Sequence, residues 1–247
     1  MTLNIDDWNQ KLAEKTPKEI IQWAINTFPV GLYQTTSFGI TGMAIMHINH
    51  QISNHQVPII FIDTLHNFDE TLKLKSKAIE KYNADIHVYK PNGCNTREEF
   101  IATHGEKLWE TNADLYDYVV KAEPAHRAYT ELNARAVFTG RRRSQGADRS
   151  TLKVLELDNS ISPPLIKINV LAYWDYDTVW DFISREQVPY NELLDKGYKS
   201  VGDYHSTQPI AEGEDERAGR WKGQEKTECG LHKDYFKLKI AAKKEAK

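Results

Sequence analysis

Gly31-Leu-Tyr-Gln-Thr-Thr-Ser-Phe-Gly-Ile-Thr-Gly42 decides the fold. Residues 31–36 read as a strand. Ser37 to Gly42 read as a glycine-containing loop. Residues 43–52 read as a helix whose inner side carries Ile45, Ile48 and Ile52. A strand, a short glycine loop and a helix form the opening unit of a nucleotide-type α/β sheet. Backbone amides of such a loop, with the helix N-terminus behind them, can cradle an anion. The loop has neither the lysine of a Walker A sequence nor the spacing of a dinucleotide fingerprint, and a tight turn that only caps the helix fits it as well.

The flanking chain extends the same alternation. On the N-terminal side, 17–28 reads as a helix capped by Thr16 and opened by Pro17, with Pro29 ending it. On the other side, the continuous apolar run 57–63 reads as a strand buried on both faces. Next come a helix at 67–82, opened by Asn67 with Glu70 in a capping-box pattern, and a strand at 85–89. Short helices at 97–103 and 122–133 lead to a strand at 136–140. Strands at 153–157 and 165–170 and helices at 177–186 and 191–196 complete the pattern. This alternation predicts an α/β fold with a mostly parallel twisted sheet and helices on both faces. Residues 201–247 lack any period. They read as an extended, mobile C-terminal tail, so the expected division is a nucleotide-binding domain at 1–200 and a tail at 201–247.

Bulk properties narrow the chemistry. In 247 residues the formal net charge is −3, so any anion site must be local rather than a property of the whole surface. No apolar run is long enough to span a bilayer, and the polar, acidic start is unlike a targeting peptide, which makes the cytoplasm the expected compartment. The two cysteines, Cys94 and Cys229, cannot build a disulfide framework or a metal cluster by themselves. There is no His-Glu-x-x-His and no Cys-x-x-Cys, so no metal site is expected. The absence of Gly-x-Ser-x-Gly argues against a serine hydrolase.

Four constellations remain. The first is the loop, with Ser37, Phe38, Gly39, Thr41 and Gly42 as candidate anion binders. The second is Asp63-Thr64 at the end of the apolar strand, where α/β sheets bind ligands. Asp63 there can accept from a ribose hydroxyl or an adenine amine, or simply bond its own backbone. The third is the basic loop holding Arg141, Arg142, Arg143 and Arg149, whose guanidinium forks match phosphate or sulfate oxygens. A solvated charge run is the alternative. Nucleic acid is not expected, because no aromatic platform accompanies this one patch.

The fourth runs from Arg217 and Arg220 to Glu228-Cys-Gly-Leu-His232. This basic segment could fold over an anion and present Cys229. Lys222, Lys226, His232 and Lys233 around it favour thiolate, the nucleophilic form. Lys121 is a weaker candidate that could be only a helix-face charge. Cys94, in Asn-Gly-Cys-Asn, reads as incidental, although it could act as a resolving thiol.

These blocks together resemble the phosphoadenylyl-sulfate (PAPS) reductase family, and its fungal members most closely. Lys226-Thr-Glu-Cys-Gly-Leu-His232 resembles the family's catalytic signature, and Ser37 to Gly42 its modified pyrophosphate loop. Phe61-Ile-Asp-Thr64 with Phe68-Asp-Glu-Thr71, Lys121-Ala-Glu-Pro124, Gly140-Arg-Arg-Arg143 and Ser200-Val-Gly-Asp203 are similar to further blocks. The resemblance implies a pyrophosphate-loop, adenine-nucleotide-hydrolase-like fold of Rossmann-like type. It implies reduction of 3′-phosphoadenylyl sulfate to sulfite and adenosine 3′,5′-bisphosphate within sulfate assimilation and cysteine and methionine biosynthesis. Cys229 would carry an S-sulfocysteine, His232 would help keep its thiolate charged, and thioredoxin, or alternatively glutaredoxin, would supply electrons. A homodimer is also implied.

Related adenylyl-sulfate reductases bind an iron–sulfur cluster through two cysteine pairs. Here neither Leu115 to Val120 nor Val201 to Ser206 contains a cysteine, so no cluster is expected, and the 3′-phosphorylated substrate is favoured. Two rivals fit less of the sequence. A pyrophosphate-loop ATPase that adenylates its substrate gives no reason for Glu-Cys-Gly-Leu-His. A non-catalytic nucleotide sensor would consume no thioredoxin.

Overall fold

The computed structural model describes residues 4–52, 57–221, 228–232 and 235–245. Two helices come first, α1 (Ile5–Leu12) and α2 (Pro17–Thr27). The expected start of α2 is present in full: the Glu19 amide donates to Thr16 Oγ1, the Thr16 amide donates back to the Glu19 carboxylate, and Pro17 opens the first turn. α1 was not expected from the sequence. It is tied to the sheet by Asn9, whose side chain bonds both the amide and the carbonyl of Leu155.

Then come β1 (Leu32–Thr35), α3 (Ile40–Ile52), β2 (Ile59–Ile62), α4 (Asp69–Tyr82), β3 (Ile86–Tyr89) and α5 (Arg97–His104). Two short helices the sequence did not announce, α6 (Leu108–Thr111) and α7 (Ala113–Asp117), lead into a π-helical turn, Tyr118–Ala122. It runs directly into α8 (Glu123–Glu131), with Pro124 in the first turn. β4 (Ala136–Phe138), β5 (Leu155–Asp158), β6 (Leu165–Ile168) and α9 (Tyr176–Arg185) follow. The expected helix at 191–196 is a 3₁₀ helix, Glu192–Lys196. Two 3₁₀ turns, Tyr204–Ser206 and Gly230–His232, and an unexpected α10 (Tyr235–Glu245) lie within the segment read as a tail.

Two local expectations need correcting. The helix after the loop begins at Ile40 rather than at residue 43, because the Met43 amide already donates to the Gly39 carbonyl. Thr41 and Gly42 therefore belong to its first turn. Asn67 does not cap α4: the cap position is Phe68, which has no side-chain bond, and Asn67 Nδ2 donates to Asp63 Oδ1 instead.

Among the described residues the strands form one sheet in the order β3-β2-β1-β4-β6-β5. Every neighbouring pair is parallel except β5 with β6. Alternation along β2 explains why its run is apolar throughout. Ile59 and Phe61 enter the core shared with α2, α3 and α9, while Ile60 and Ile62 enter the core under Ala125, Ala128 and Tyr129 of α8. β1 pairs with β2 on one side and β4 on the other. The chain therefore winds outward through β2 and β3 on one side of β1 and continues at β4 on the other, and a crevice opens at the carboxyl ends of β1 and β4, where open α/β sheets take their ligands. No described helix is long and apolar enough to cross a membrane.

Candidate active site

A cleft occupies that crevice. The loop after β1, Thr64 after β2 and the basic loop after β4 form its floor, and described residues between 199 and 231, Cys229 included, close over it. All five loop candidates, Ser37, Phe38, Gly39, Thr41 and Gly42, line it. The loop is held rigidly. The Phe38 amide donates to Thr36 Oγ1, and Phe38 takes the left-handed conformation, φ 60°, with its ring buried 5.2 Å from Phe61. Gly42 is obligatory for packing: a Cβ there would lie 2.1 Å from Thr36 Oγ1. The N-terminus of α3, whose first amides have no partner within the helix, opens on the cleft.

The lining is strongly cationic. Lys121, Arg141, Arg142, Arg149, Lys167, Lys199, Arg217 and Arg220 contribute positive side chains, against the carboxylates of Asp203 and Glu216 among the described residues. The arginines divide into two kinds. Arg142 is an internal strut. It is 1% exposed, donates from Nε to Thr41 Oγ1, and pairs with Glu216 at 2.5 Å. It thereby joins the loop to the segment that closes the cleft. Arg149 forms a two-pronged pair with Glu228, at 2.7 and 2.5 Å.

Arg141, Arg217 and Arg220 are less well served. Burial lowers the pKa of each, and neighbouring Arg149 adds to the effect. Nε of Arg141 and Nε of Arg220 are buried without a hydrogen-bond partner among the described residues. Buried donors without acceptors are costly, so each of these two guanidinium groups keeps a donor free for an anionic oxygen.

Lys121 is not the helix-face charge it could have been. It is 4% exposed and sits in the π-helical turn, with Nζ 2.6 Å from Asp203 and 3.5 Å from Asp117. Burial works against its charge, but Asp203, Cys229 and Asp117 outweigh burial and raise its pKa. Asp203 is the other half. Burial opposes its charge too, yet Lys121, Thr64 and His205 hold its carboxyl well below the usual range. Thr64 donates to Asp203 Oδ1 at 2.7 Å, and Tyr116 donates to Oδ2 at 3.2 Å. His205 in turn lies 2.9 Å from the Tyr116 hydroxyl and stacks on Trp109 at 4.0 Å.

This knot anchors the segment that closes the cleft. Asn67 and Asp203 form a β-bridge, and the Tyr204 amide donates to the His66 carbonyl. Past it, the backbone at Gly219 is so close to Gln208 that a Cβ would lie 2.1 Å from the Gln208 carbonyl. Cys229 is half-buried on the cleft wall, close enough to Lys121, Arg220 and Arg217 to favour the charged form of each. The adjoining Gly230 rests on the last residue of α7, just before the π-helical turn. A Cβ there would lie 2.6 Å from Asp117 Cβ.

The structure places two expected residues elsewhere. Asp63 accepts from the Leu65 amide and from Asn67, so its Oδ1 serves its own loop, and it does not line the cleft. Arg143 turns away: its Nε donates to the Leu152 carbonyl and its guanidinium lies over Tyr173. Cys94 is 3% exposed in an apolar cluster with Phe100, Leu108, Tyr116 and Val120. Lys222, Lys226 and Lys233 lie outside the described residues, as does the His232 side chain. The described residues contain no group of three or more His, Cys, Asp or Glu that could hold a metal ion.

Sequence reasoning gave no role to Glu216, Gln145, Tyr129, Lys167 or Lys199, all of which line the cleft. Isolated polar residues in aperiodic stretches carry no signal of which partner they meet. Tyr129 is the exception in kind, since it belongs to the inner face of α8. Burial pushes its phenol up to about 12, and its hydroxyl lies 3.1 Å from Thr35 Oγ1.

The sheet order and the position of the cleft define an α/β protein of the nucleotide-binding, Rossmann-like class. FMN adenylyltransferase from Candida glabrata has this fold with a TM-score of 0.56 at 16% identity, over 98% of this chain and 82% of that one. Sequence then specifies the family. Residues 31–209 match the family model described as phosphoadenosine phosphosulfate reductase domain. Phosphoadenosine phosphosulfate reductase of Saccharomyces cerevisiae is 52% identical, over 92% of this chain and 89% of its own length. An adenosine 5′-phosphosulfate reductase of Halalkalibacterium halodurans is 36% identical, over 93% and 97%. A crystal structure of PAPS reductase from Candida auris, a phosphate complex, superposes with a TM-score of 0.77 at 48% identity, over 84% of this chain and 99% of that one. The chain belongs to the phosphoadenosine phosphosulfate reductase family, a family of enzymes.

Proposed function

We propose that this enzyme reduces 3′-phosphoadenylyl sulfate to sulfite and adenosine 3′,5′-bisphosphate, with reduced thioredoxin as electron donor and Cys229 as nucleophile. One observation carries the reading: a half-buried cysteine shares a cleft with a glycine loop, a helix N-terminus and an excess of buried guanidinium groups. The 3′-phosphorylated substrate is favoured because relatives named for it in Saccharomyces cerevisiae and Emericella nidulans are 52% and 54% identical, against 36% for the adenosine 5′-phosphosulfate reductase named above.

In this mechanism the Cys229 thiolate attacks the sulfur of the transferring group. The bond between that sulfur and the bridging oxygen breaks, and the electron pair leaves with the 5′-phosphate of the nucleotide. An S-sulfocysteine forms on the enzyme. The leaving phosphate is a weak base, so proton transfer contributes little to this step. A thioredoxin thiolate then attacks Cys229 Sγ and sulfite departs. The second thioredoxin thiol resolves the mixed disulfide, returning Cys229 as thiolate and leaving thioredoxin oxidised. Two electrons pass from the dithiol to sulfur, and one difficult displacement becomes two easier ones.

The chain's own contribution is electrostatic. An anion attacking an anion needs fixed positive charge, and Lys121, Arg217 and Arg220 are the cations coupled to Cys229. Ser37 to Gly42 and the α3 N-terminus are assigned the phosphates. Residues 201–247 are read as the part that opens so that thioredoxin can reach a sulfur the closed cleft half-buries.

The test is turnover with reduced thioredoxin. Sulfite, adenosine 3′,5′-bisphosphate and oxidised thioredoxin are expected in equal amounts. Nucleotide bound without thioredoxin oxidation would make the chain a sensor. Equal turnover of adenylyl sulfate would remove the role of the 3′-phosphate, and turnover with glutaredoxin alone would replace the donor.

A further inference from the structure

Glu228 lies in a place the mechanism above does not use. Its two carboxylate oxygens take the fork of Arg149, Oε2 from Nε at 2.7 Å and Oε1 from Nη2 at 2.5 Å. Oε1 also receives the amide of Cys229 at 2.8 Å and lies 3.5 Å from Arg217 Nη2. Three donors from separate parts of the chain thus converge on one oxygen. The pairing is nearly dry, with side-chain exposures of 8% for Arg149 and 11% for both Glu228 and Arg217. A guanidinium fork reinforced by a second arginine and a backbone amide is the arrangement that tetrahedral oxyanions take. Here a carboxylate of the same chain fills it.

From this geometry, and resting on the function proposed above, we infer that Glu228 is a stand-in for the sulfonate end of the substrate, which displaces it from Arg149, Arg217 and the Cys229 amide. Two observations favour displacement over a permanent buttress. Two guanidinium groups share a single carboxylate there, so the pocket holds surplus positive charge even when Glu228 is in place. Burial and Arg149 still lower the Arg217 pKa with Glu228 beside it, so its charge is not fully met. The choice of sulfonate rather than 3′-phosphate follows from position. Whatever occupies the oxygen site is hydrogen-bonded to the nucleophile's own amide, so it is the group under attack. While in place, Glu228 also holds the Cys229 backbone through its amide.

Calorimetric titration in a Cys229→Ser background, where no turnover occurs, tests this. Glu228→Gln removes the competing charge and keeps the shape. It is expected to bind 3′-phosphoadenylyl sulfate about tenfold more tightly, the ratio carried by one charge-assisted hydrogen bond. Affinity for adenosine 3′,5′-bisphosphate, which has no sulfonate, is expected to stay unchanged. Glu228→Ala should reproduce that split, tighter for 3′-phosphoadenylyl sulfate and unchanged for adenosine 3′,5′-bisphosphate, and unfolding midpoints without ligand establish that both variants are folded. If both nucleotides tighten together, the seat belongs to the 3′-phosphate and the inference is wrong. If the sulfonate-bearing nucleotide binds no better, or more weakly, Glu228 is a buttress and the inference is equally wrong. If neither nucleotide binds with Glu228 intact, the functional reading itself fails and the inference falls with it.

Discussion

The same short helical segment serves both cysteines, and it serves them oppositely. Tyr116 and Val120 pack with Cys94 in an apolar cluster that leaves the thiol 3% exposed. One residue on from each, Asp117 receives the backbone of Gly230 and Lys121 couples its charge to Cys229. The π-helical turn at Tyr118–Ala122 widens the segment between them. In sequence both cysteines stand beside a glycine, and only the cations around Cys229 set them apart. The fold adds the reason that charge pattern reaches one thiol and not the other. What differs is which face of residues 116–121 each thiol meets.

The comparison breaks most sharply at Cys229. Cys229→Ser is expected to lower sulfite release by at least about 10⁴-fold while nucleotide binding persists. Stopped-assay sulfite measurement checks the first part and equilibrium titration the second.

Asp203→Asn comes next. It leaves the buried Lys121 ammonium with only the longer contact to Asp117 among its described carboxylate partners, and is expected to destabilise the fold by about 3–5 kcal/mol, read from denaturant midpoints. Its pH dependence has a definite sign. The Asp203 pKa is lowered in the fold, so its contribution is full above the unfolded aspartate pKa of about 3.9 and is lost as pH falls below it. The stability gap between the native protein and the variant should be constant from about pH 5 to 8 and narrow in stronger acid.

Gly230→Ala is a subtler way to sharpen the contrast. The added methyl would meet Asp117 and move Cys229 off the charged face without removing it. A fall in kcat of about 100-fold, with nucleotide affinity retained, is the expected split. Cys94→Ser should have the smallest effect. Turnover with thioredoxin should stay within about twofold, while the buried hydroxyl lowers stability by about 1–3 kcal/mol. A dead Cys94→Ser enzyme of normal stability would move the resolving role to Cys94 and dissolve the contrast.

Most of the sheet was legible in the sequence because its strands are short apolar runs separated by turn residues and helices of clear period. The apolar run 57–63 announced a strand buried on both faces, and β2 at Ile59–Ile62 is that strand. α6 and α7 were not legible, since helices of four and five residues carry too few turns to show a period. The start of α3 was misplaced because Gly39, Thr41 and Gly42 look like loop residues. Only contact with Thr36 shows why a glycine must stand in the first turn. Within the site, Lys121 and the arginines stood out as charges, but their partners did not. Asp203 and Glu216 lie 82 and 74 residues from the cations they meet, and no local pattern encodes such pairings. Arg143 illustrates the converse: three adjacent arginines look equivalent in sequence, yet their geometry sends one to Tyr173.

The central claim is that sulfur chemistry passes through Cys229, and trapping tests it most directly. The protein is mixed with 3′-phosphoadenylyl sulfate in the absence of any dithiol, quenched in acid, digested and weighed. The peptide holding Cys229 is expected to gain the mass of one SO₃ group while the peptide holding Cys94 stays unmodified. Adenosine 3′,5′-bisphosphate formed without that gain, or the gain found on Cys94, contradicts the account.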